Sequence, residues 1–206
     1  MAKNIFISFR YSDGHIYKEE LDEIFEDSNF VINYSEDEDR SEMSEETIKK
    51  YLYSKLKETS VTILIVTPES LNHIKNDSDK YDDWIYDELR YSLEDREDNR
   101  TNGLIAVYVP EVKGDLITEV EHECNICNNK SIVNSIKDVD NIFRKNMMNI
   151  KEEYKYNKCE GIYDSNLDSY CSLIPWDDFK KNYTDYIEKA AEKRERKEEF
   201  NIIKRM

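Results

Sequence analysis

Glycine and proline are scarce in this chain, four and three in 206 residues. So few glycines leave no GxxxxGK[ST] and no GxGxxG after the first apolar run, which excludes a glycine cradle for phosphates. Histidine is as scarce as proline, and His15, His73 and His122 have neither zincin nor triad spacing. No elbow motif supports serine-nucleophile chemistry. Basic residues are outnumbered, 30 Lys+Arg against 46 Asp+Glu, for a net charge of −16. That charge repels phosphate backbones and anionic membranes, so neither nucleic acid nor a membrane is an expected partner. Long hydrophobic runs are missing too. The opening "MAKNIFISFR" is a short apolar run broken by Arg10, without the h-region of a secretory signal, and no stretch reaches the ~18 apolar residues of a membrane span. Four cysteines in such a chain read as reduced thiols, and a cytoplasmic location is expected.

What is present is an apolar framework under a heavily charged surface, with hydrophobic residues at 38% and charged residues at 37%. Aromatic content is too high for disorder, and the length suits one domain carrying an insertion. The runs "NIFISF" (4–9), "VTILIV" (61–66) and "LIAVYV" (104–109) are continuous, the habit of parallel strands buried on both faces. "FVINY" (30–34) and "YCSLIPW" (170–176) are weaker candidates. Helical spacing fills the gaps: Ile16, Leu21, Ile24 and Phe25 over 16–27; Ile48, Tyr51, Leu52 and Leu56 over 44–58; Ile85, Leu89 and Leu93 over 82–95. A last helix over 177–200 carries Phe179, Tyr183, Tyr186, Ile187 and Ala190, then turns all charged after Glu192, as a solvated end would.

Strand alternating with helix predicts a doubly wound α/β fold: a flavodoxin-like, five-stranded parallel sheet of order 2-1-3-4-5 with helices on both faces. Ligands of such sheets bind at the carboxyl ends of strands where the winding reverses, between strands 1 and 3. A phosphoacceptor receiver shares this winding but wants an Asp at the end of strand 3, which here ends Val66-Thr67-Pro68. Residues 111–169 break the alternation and read as an insertion between strands 4 and 5, with an amphipathic helix around 132–150. Within it, Cys124 and Cys127 form the one ligand-like spacing, CxxC, with His122 nearby. Cys159 and Cys171 would have to complete a zinc set, but eleven residues separate them, so the signature is half formed and no metal is assigned.

"YDDWIYDEL" (81–89) holds the candidate of interest. On a helix Glu88 neighbours Trp84, Ile85, Tyr91 and Ser92, none of them a cation, whereas Asp87 has Arg90 at i+3. Glu88 thus lacks an intrahelical ion pair and borders the buried Ile85–Leu89–Leu93 stripe, a setting that desolvates a carboxylate. The bland alternative is a boundary glutamate bonded to a loop N–H or a distant lysine. "IFISFRYSDG" (5–14) brings Phe9, Arg10, Tyr11 and Asp13 to the carboxyl end of the neighbouring strand. An aromatic there can stack a base, and the guanidinium can hold a pyrophosphate.

These three stretches, "IFISFRYSDG", "VTILIVTPESL" and "WIYDEL", resemble the TIR domain, and more closely the TIR-like subunit of bacterial Thoeris anti-phage defence, the ThsB type. The resemblance spans residues 3 to about 110 and resumes at "SLIPWDDFKKNYTDYIEKA". It implies a single TIR-like domain over 1–206 in which Glu88 is the family glutamate and Phe9, Arg10, Tyr11, Asp13 and Trp84 line the substrate site, Trp84 as a wall. It implies an enzyme that cleaves NAD⁺ as substrate, without a further cofactor, into a cyclic ADP-ribose-type messenger for a downstream effector. The resemblance leaves room for a phage-derived trigger and a homo-oligomer. The loop "SEDEDRSEMSEE" departs from the family in lacking Pro-Gly; its Arg40 is a second phosphate candidate. Two other readings stand beside the enzyme: a non-catalytic TIR-type interaction module, and a flavodoxin-like nucleotide binder.

Overall fold

The computed structural model describes residues 2–26, 28–34, 45–95 and 100–206. Arg40 and most of the loop after the second strand lie outside them, as does the Ile48 side chain. Five parallel strands form the central sheet: β1 (Lys3–Ser8), β2 (Val31–Asn33), β3 (Val61–Val66), β4 (Gly103–Tyr108) and β7 (Cys171–Pro175), in the order β2-β1-β3-β4-β7. Counted along this sheet, that is the expected 2-1-3-4-5 winding. β3 and β4 are buried at every position, as continuous apolar runs require when both faces are covered.

Helices α1 (Tyr11–Glu26) and α6 (Trp176–Glu195) share one face, locked by Tyr17 on Trp176 at 4.9 Å and Phe25 on Tyr183 at 5.3 Å between ring centroids. Helices α2 (Glu45–Leu56) and α3 (Trp84–Leu93) meet over the other, where Phe6, Leu52, Leu56 and Tyr91 form a cluster against which Trp84 packs. Strand alternation then has a consequence for β1. Ile5 and Ile7 point to the main core, while Phe6 and Ser8 point toward α2 and α3. α1 begins five residues before the apolar spacing predicted, because its first turn is closed by the Gly14 N–H on the Arg10 carbonyl (2.7 Å). Among the described residues, no helix is long and apolar enough to cross a membrane.

The segment between β4 and β7 is not the helix expected around 132–150. It holds a short helix α4 (Lys113–Leu116), an antiparallel hairpin of β5 (Ile117–Glu123) and β6 (Lys130–Ile136), and a one-turn helix α5 (Ile142–Lys145). "SIVNSI" is β-branched and lies half exposed, conditions under which strand pairing prevails over a helical reading. The charged tail corrects the second expectation. Lys193 is buried, donating to the Ser169 carbonyl and Ser172 Oγ at 2.7 Å each, and burial lowers its pKa to about 7. Past the helix, Phe200 is buried against Tyr170.

One backbone approach fixes α6 on the sheet. A Cβ at Gly103 would lie 2.2 Å from the Ala190 carbonyl oxygen and 2.6 Å from its carbon, so only glycine permits this contact. Gly103→Ala is expected to lower stability by at least ~1–3 kcal/mol, read as a reduced urea midpoint.

Candidate active site

Glu88 and the β1–α1 turn meet as the winding predicts. Ser8, the last residue of β1 and on the α3-facing side, donates its hydroxyl to Glu88 Oε2 at 2.6 Å. The other oxygen, Oε1, carries no hydrogen bond among the described residues. Glu88 keeps some exposed surface, so it stands at the wall of a crevice, yet protein surrounds it closely. Desolvation raises its pKa from 4.5 to about 8; the Ser8 bond and Arg10 oppose this, and the Asp83 and Asp87 charges add to it. Asp87 takes the ion pair expected of it, with Arg90 at 2.8 Å.

Arg10 does not stand open. Its Nη2 pairs with Asp83 Oδ1 at 2.7 Å, while its Nε is buried with no acceptor among the described residues. Asp83 is the N-cap residue of α3 but makes no side-chain cap bond. Its buried carboxylate goes instead to Arg10 and, through Oδ2, to His73 Nδ1 at 2.8 Å. His73 Nε2 accepts the Ile142 N–H at 3.1 Å, which leaves Nδ1 as the donor to Asp83. Burial works to raise the Asp83 pKa, but the hydrogen bond to His73 and the charge and bond of Arg10 outweigh it and hold it below the usual carboxylate range.

The other predicted residues divide. Both oxygens of Asp13 hold the loop after β3, accepting from Thr67 Oγ1 at 2.7 Å and the Glu69 N–H at 2.9 Å. That carboxylate braces two strand ends against each other. Phe9 is half-buried against the core, and the missing Cβ of Gly14 makes room for it (3.2 Å to Phe9 Cβ). Tyr11 is 50% exposed and tilts over His15 at 4.8 Å, forming an aromatic rim at the start of α1. Trp84 sits against the α2–α3 cluster. Ser8, His73 and Asp83 were not anticipated. The N-cap position and the Asp-Asp pair before Trp84 mark Asp83 only as a helix start, and its real partners come from other segments.

A parallel sheet wound in this order, with a glutamate on the helix after its third strand beside the end of its first, fits a TIR-like domain. Residues 6–114, just over half of the chain, match the family described as Thoeris protein ThsB, TIR-like domain, and the chain belongs to that family. The match takes in every crevice residue named above except Ile142 and ends before the hairpin.

The raised pKa links to stability with a definite sign. Between about 4.5 and about 8 the folded protein holds a proton on Glu88 that the unfolded chain has released, so stability falls as pH rises through that window. Glu88→Gln keeps an oxygen for the Ser8 hydroxyl and has no charge to desolvate. It is expected to be more stable than the parent by roughly 2–4 kcal/mol above about pH 8, with the gain shrinking to nothing toward about pH 4, as measured by urea denaturation across pH.

Proposed function

We propose that the protein is a TIR-type NAD⁺ glycohydrolase or cyclase that makes a cyclic ADP-ribose-type signal in anti-phage defence. The observation that carries this reading is Glu88, a desolvated carboxylate with one oxygen held by Ser8 and the other unbonded among the described residues, at the crevice of a ThsB-family domain. A boundary glutamate of purely structural use gains nothing from such a setting, whereas a substrate that brings positive charge does.

The charge balance fits NAD⁺. In the free protein Glu88 is largely protonated at neutral pH, with a pKa of about 8. The nicotinamide ring of the substrate is cationic, and its approach favours the ionised form. As the C1′–N bond breaks, its electron pair passes to the nicotinamide nitrogen, which leaves neutral, and C1′ takes up the positive charge. The carboxylate faces that oxocarbenium centre in a site of low polarity, where the attraction is worth more than in water. Water then captures C1′ to give ADP-ribose and a proton. Where the site excludes water, a nucleophilic atom of the adenosine end closes the ring instead, also releasing a proton. Arg10, with its buried Nε unsatisfied and Asp83 fixing its orientation, is the candidate for the pyrophosphate. Phe9 and Tyr11 offer aromatic faces to a base, Asp13 holds the two loops in register, and Trp84 backs the helix start. The product would act on a downstream effector; a phage-derived trigger and assembly of several copies belong to the same reading, as does a cytoplasmic location.

The test is NAD⁺ incubated with the purified protein, alone and with lysate of phage-infected cells, followed by chromatography with mass detection. NAD⁺ is expected to disappear as an ADP-ribose-type species grows, with Glu88→Gln at least ~100-fold slower. In the free enzyme kcat/KM is expected to rise with pH and level off above about 8, the pKa of Glu88. NAD⁺ surviving under both conditions would overturn the enzyme reading in favour of an interaction module, for which Glu88→Gln would leave partner binding intact.

A further inference from the structure

The β5–β6 hairpin is difficult to account for by packing. It is a two-stranded sheet, a form only marginally stable alone, and most of its residues are exposed, Ile132 at 70% and Val120 at 39%. At its tip the chain turns through Cys124–Asn129. The Asn128 N–H bonds the Cys124 carbonyl at 2.8 Å, the Cys124 N–H bonds the Asn129 carbonyl at 3.0 Å, and Asn128 takes a left-handed φ of 56°.

The loop on the opposite side, residues 155–168, is equally prepared. Buried Asp168 gathers the N–H groups of Tyr156 (2.6 Å) and Asp164 (2.8 Å), Lys155 Nζ grips the Cys159 carbonyl (2.8 Å), and Asn157 Oδ1 takes the Cys159 N–H (2.9 Å). The result is to hold Cys159 beside the tip. The sulfurs of Cys124, Cys127 and Cys159 all lie within 4.8 Å of one another, and those of Cys127 and Cys159 are 3.8 Å apart. A disulfide needs about 2.05 Å, so this is not a bonded pair. A tetrahedron with Zn–S bonds of about 2.3 Å has sulfur–sulfur edges of about 3.8 Å, which is the Cys127–Cys159 separation. Cys171, by contrast, is buried in β7 and takes no part.

A fourth donor is near in sequence. His122 lies on β5, two residues before Cys124, which follows directly on the strand's last residue, Glu123. Its ring rests on Gly161, where a Cβ would meet Cε1 at 3.1 Å, and its buried Nε2 has no partner among the described residues. The geometry points to a structural metal site, formed for zinc or a similar soft divalent cation by Cys124, Cys127 and Cys159, with His122 turning in to close the fourth position. The metal staples the exposed hairpin to the 155–168 loop, in place of the apolar core that this part of the chain lacks. Three cysteines and a histidine fully occupied by protein leave no open position, so the site is structural and separate from the Glu88 crevice.

The experiment is metal analysis of the full chain purified under reducing conditions, with cobalt titrated into the metal-stripped protein. One zinc per chain is expected, and cobalt should give the intense visible bands of a tetrahedral thiolate site. Cys127→Ser and Cys159→Ser should each weaken binding at least ~100-fold, and His122→Ala about 10-fold or more. Glu88→Gln should bind metal as the parent does, which keeps this test independent of the NAD⁺ reading. Chelation should open the hairpin tip to limited proteolysis while the sheet core stays resistant. Protein that carries no metal and gives no cobalt spectrum, or a Cys127–Cys159 disulfide forming in its place, overturns the site. Unchanged affinity in His122→Ala overturns the fourth ligand.

Discussion

A parallel sheet cannot leave either face in water, and most of this molecule answers to that constraint. β3 and β4 are buried at every position, so each strand needs a helix on both sides and each crossover must return along the same edge. Apolar side chains fully withdrawn there contribute about 1.5–3 kcal/mol apiece. The same winding places the ends of β1 and β3 side by side with α1 and α3 leaving in opposite directions, and a crevice remains between them. The crevice is thus a by-product of covering the sheet, and the residues that reach it are those on the α3-facing side of β1, with Ser8 as the last of them.

Glu88 illustrates what such a position costs. Its helix is driven into the core by Ile85, Leu89 and Leu93, and the carboxylate is carried with it into surroundings that disfavour its charge. The fold tolerates this because a single hydrogen bond from Ser8 and the attraction of Arg10 return part of the loss. It is this desolvation, held in place by a rigid sheet, that the proposed chemistry would draw on.

Sequence reading succeeded where a signal is local. Continuous apolar runs located the strands within a residue or two, since burial on both faces leaves no polar alternation to blur them. The desolvated setting of Glu88 was legible for the same reason, because its helix neighbours offer no cation. The reading failed where partners are distant. Asp83 looks like a helix cap, and only the fold brings Arg10 and His73 to it from 73 and 10 residues away. Cys159 stands 32 residues from Cys127, outside any spacing rule, so the cysteines read as a half-formed set. The hairpin was misread because Ile132, Val133 and Ile136 fit a helical stripe as well as a strand, and the β-branched content had to decide.

The contact between α5 and His73 also orients a ring. Asn141 caps α5 through the Phe143 N–H and ties it to the Ser70 carbonyl at 3.0 Å, and this seats the Ile142 N–H on His73 Nε2. With Nε2 accepting from the backbone, Nδ1 is the atom left to face Asp83 Oδ2, and Asp83 Oδ1 is left to Arg10. One backbone amide of the insertion is thereby linked, through an imidazole and a carboxylate, to the guanidinium at the crevice.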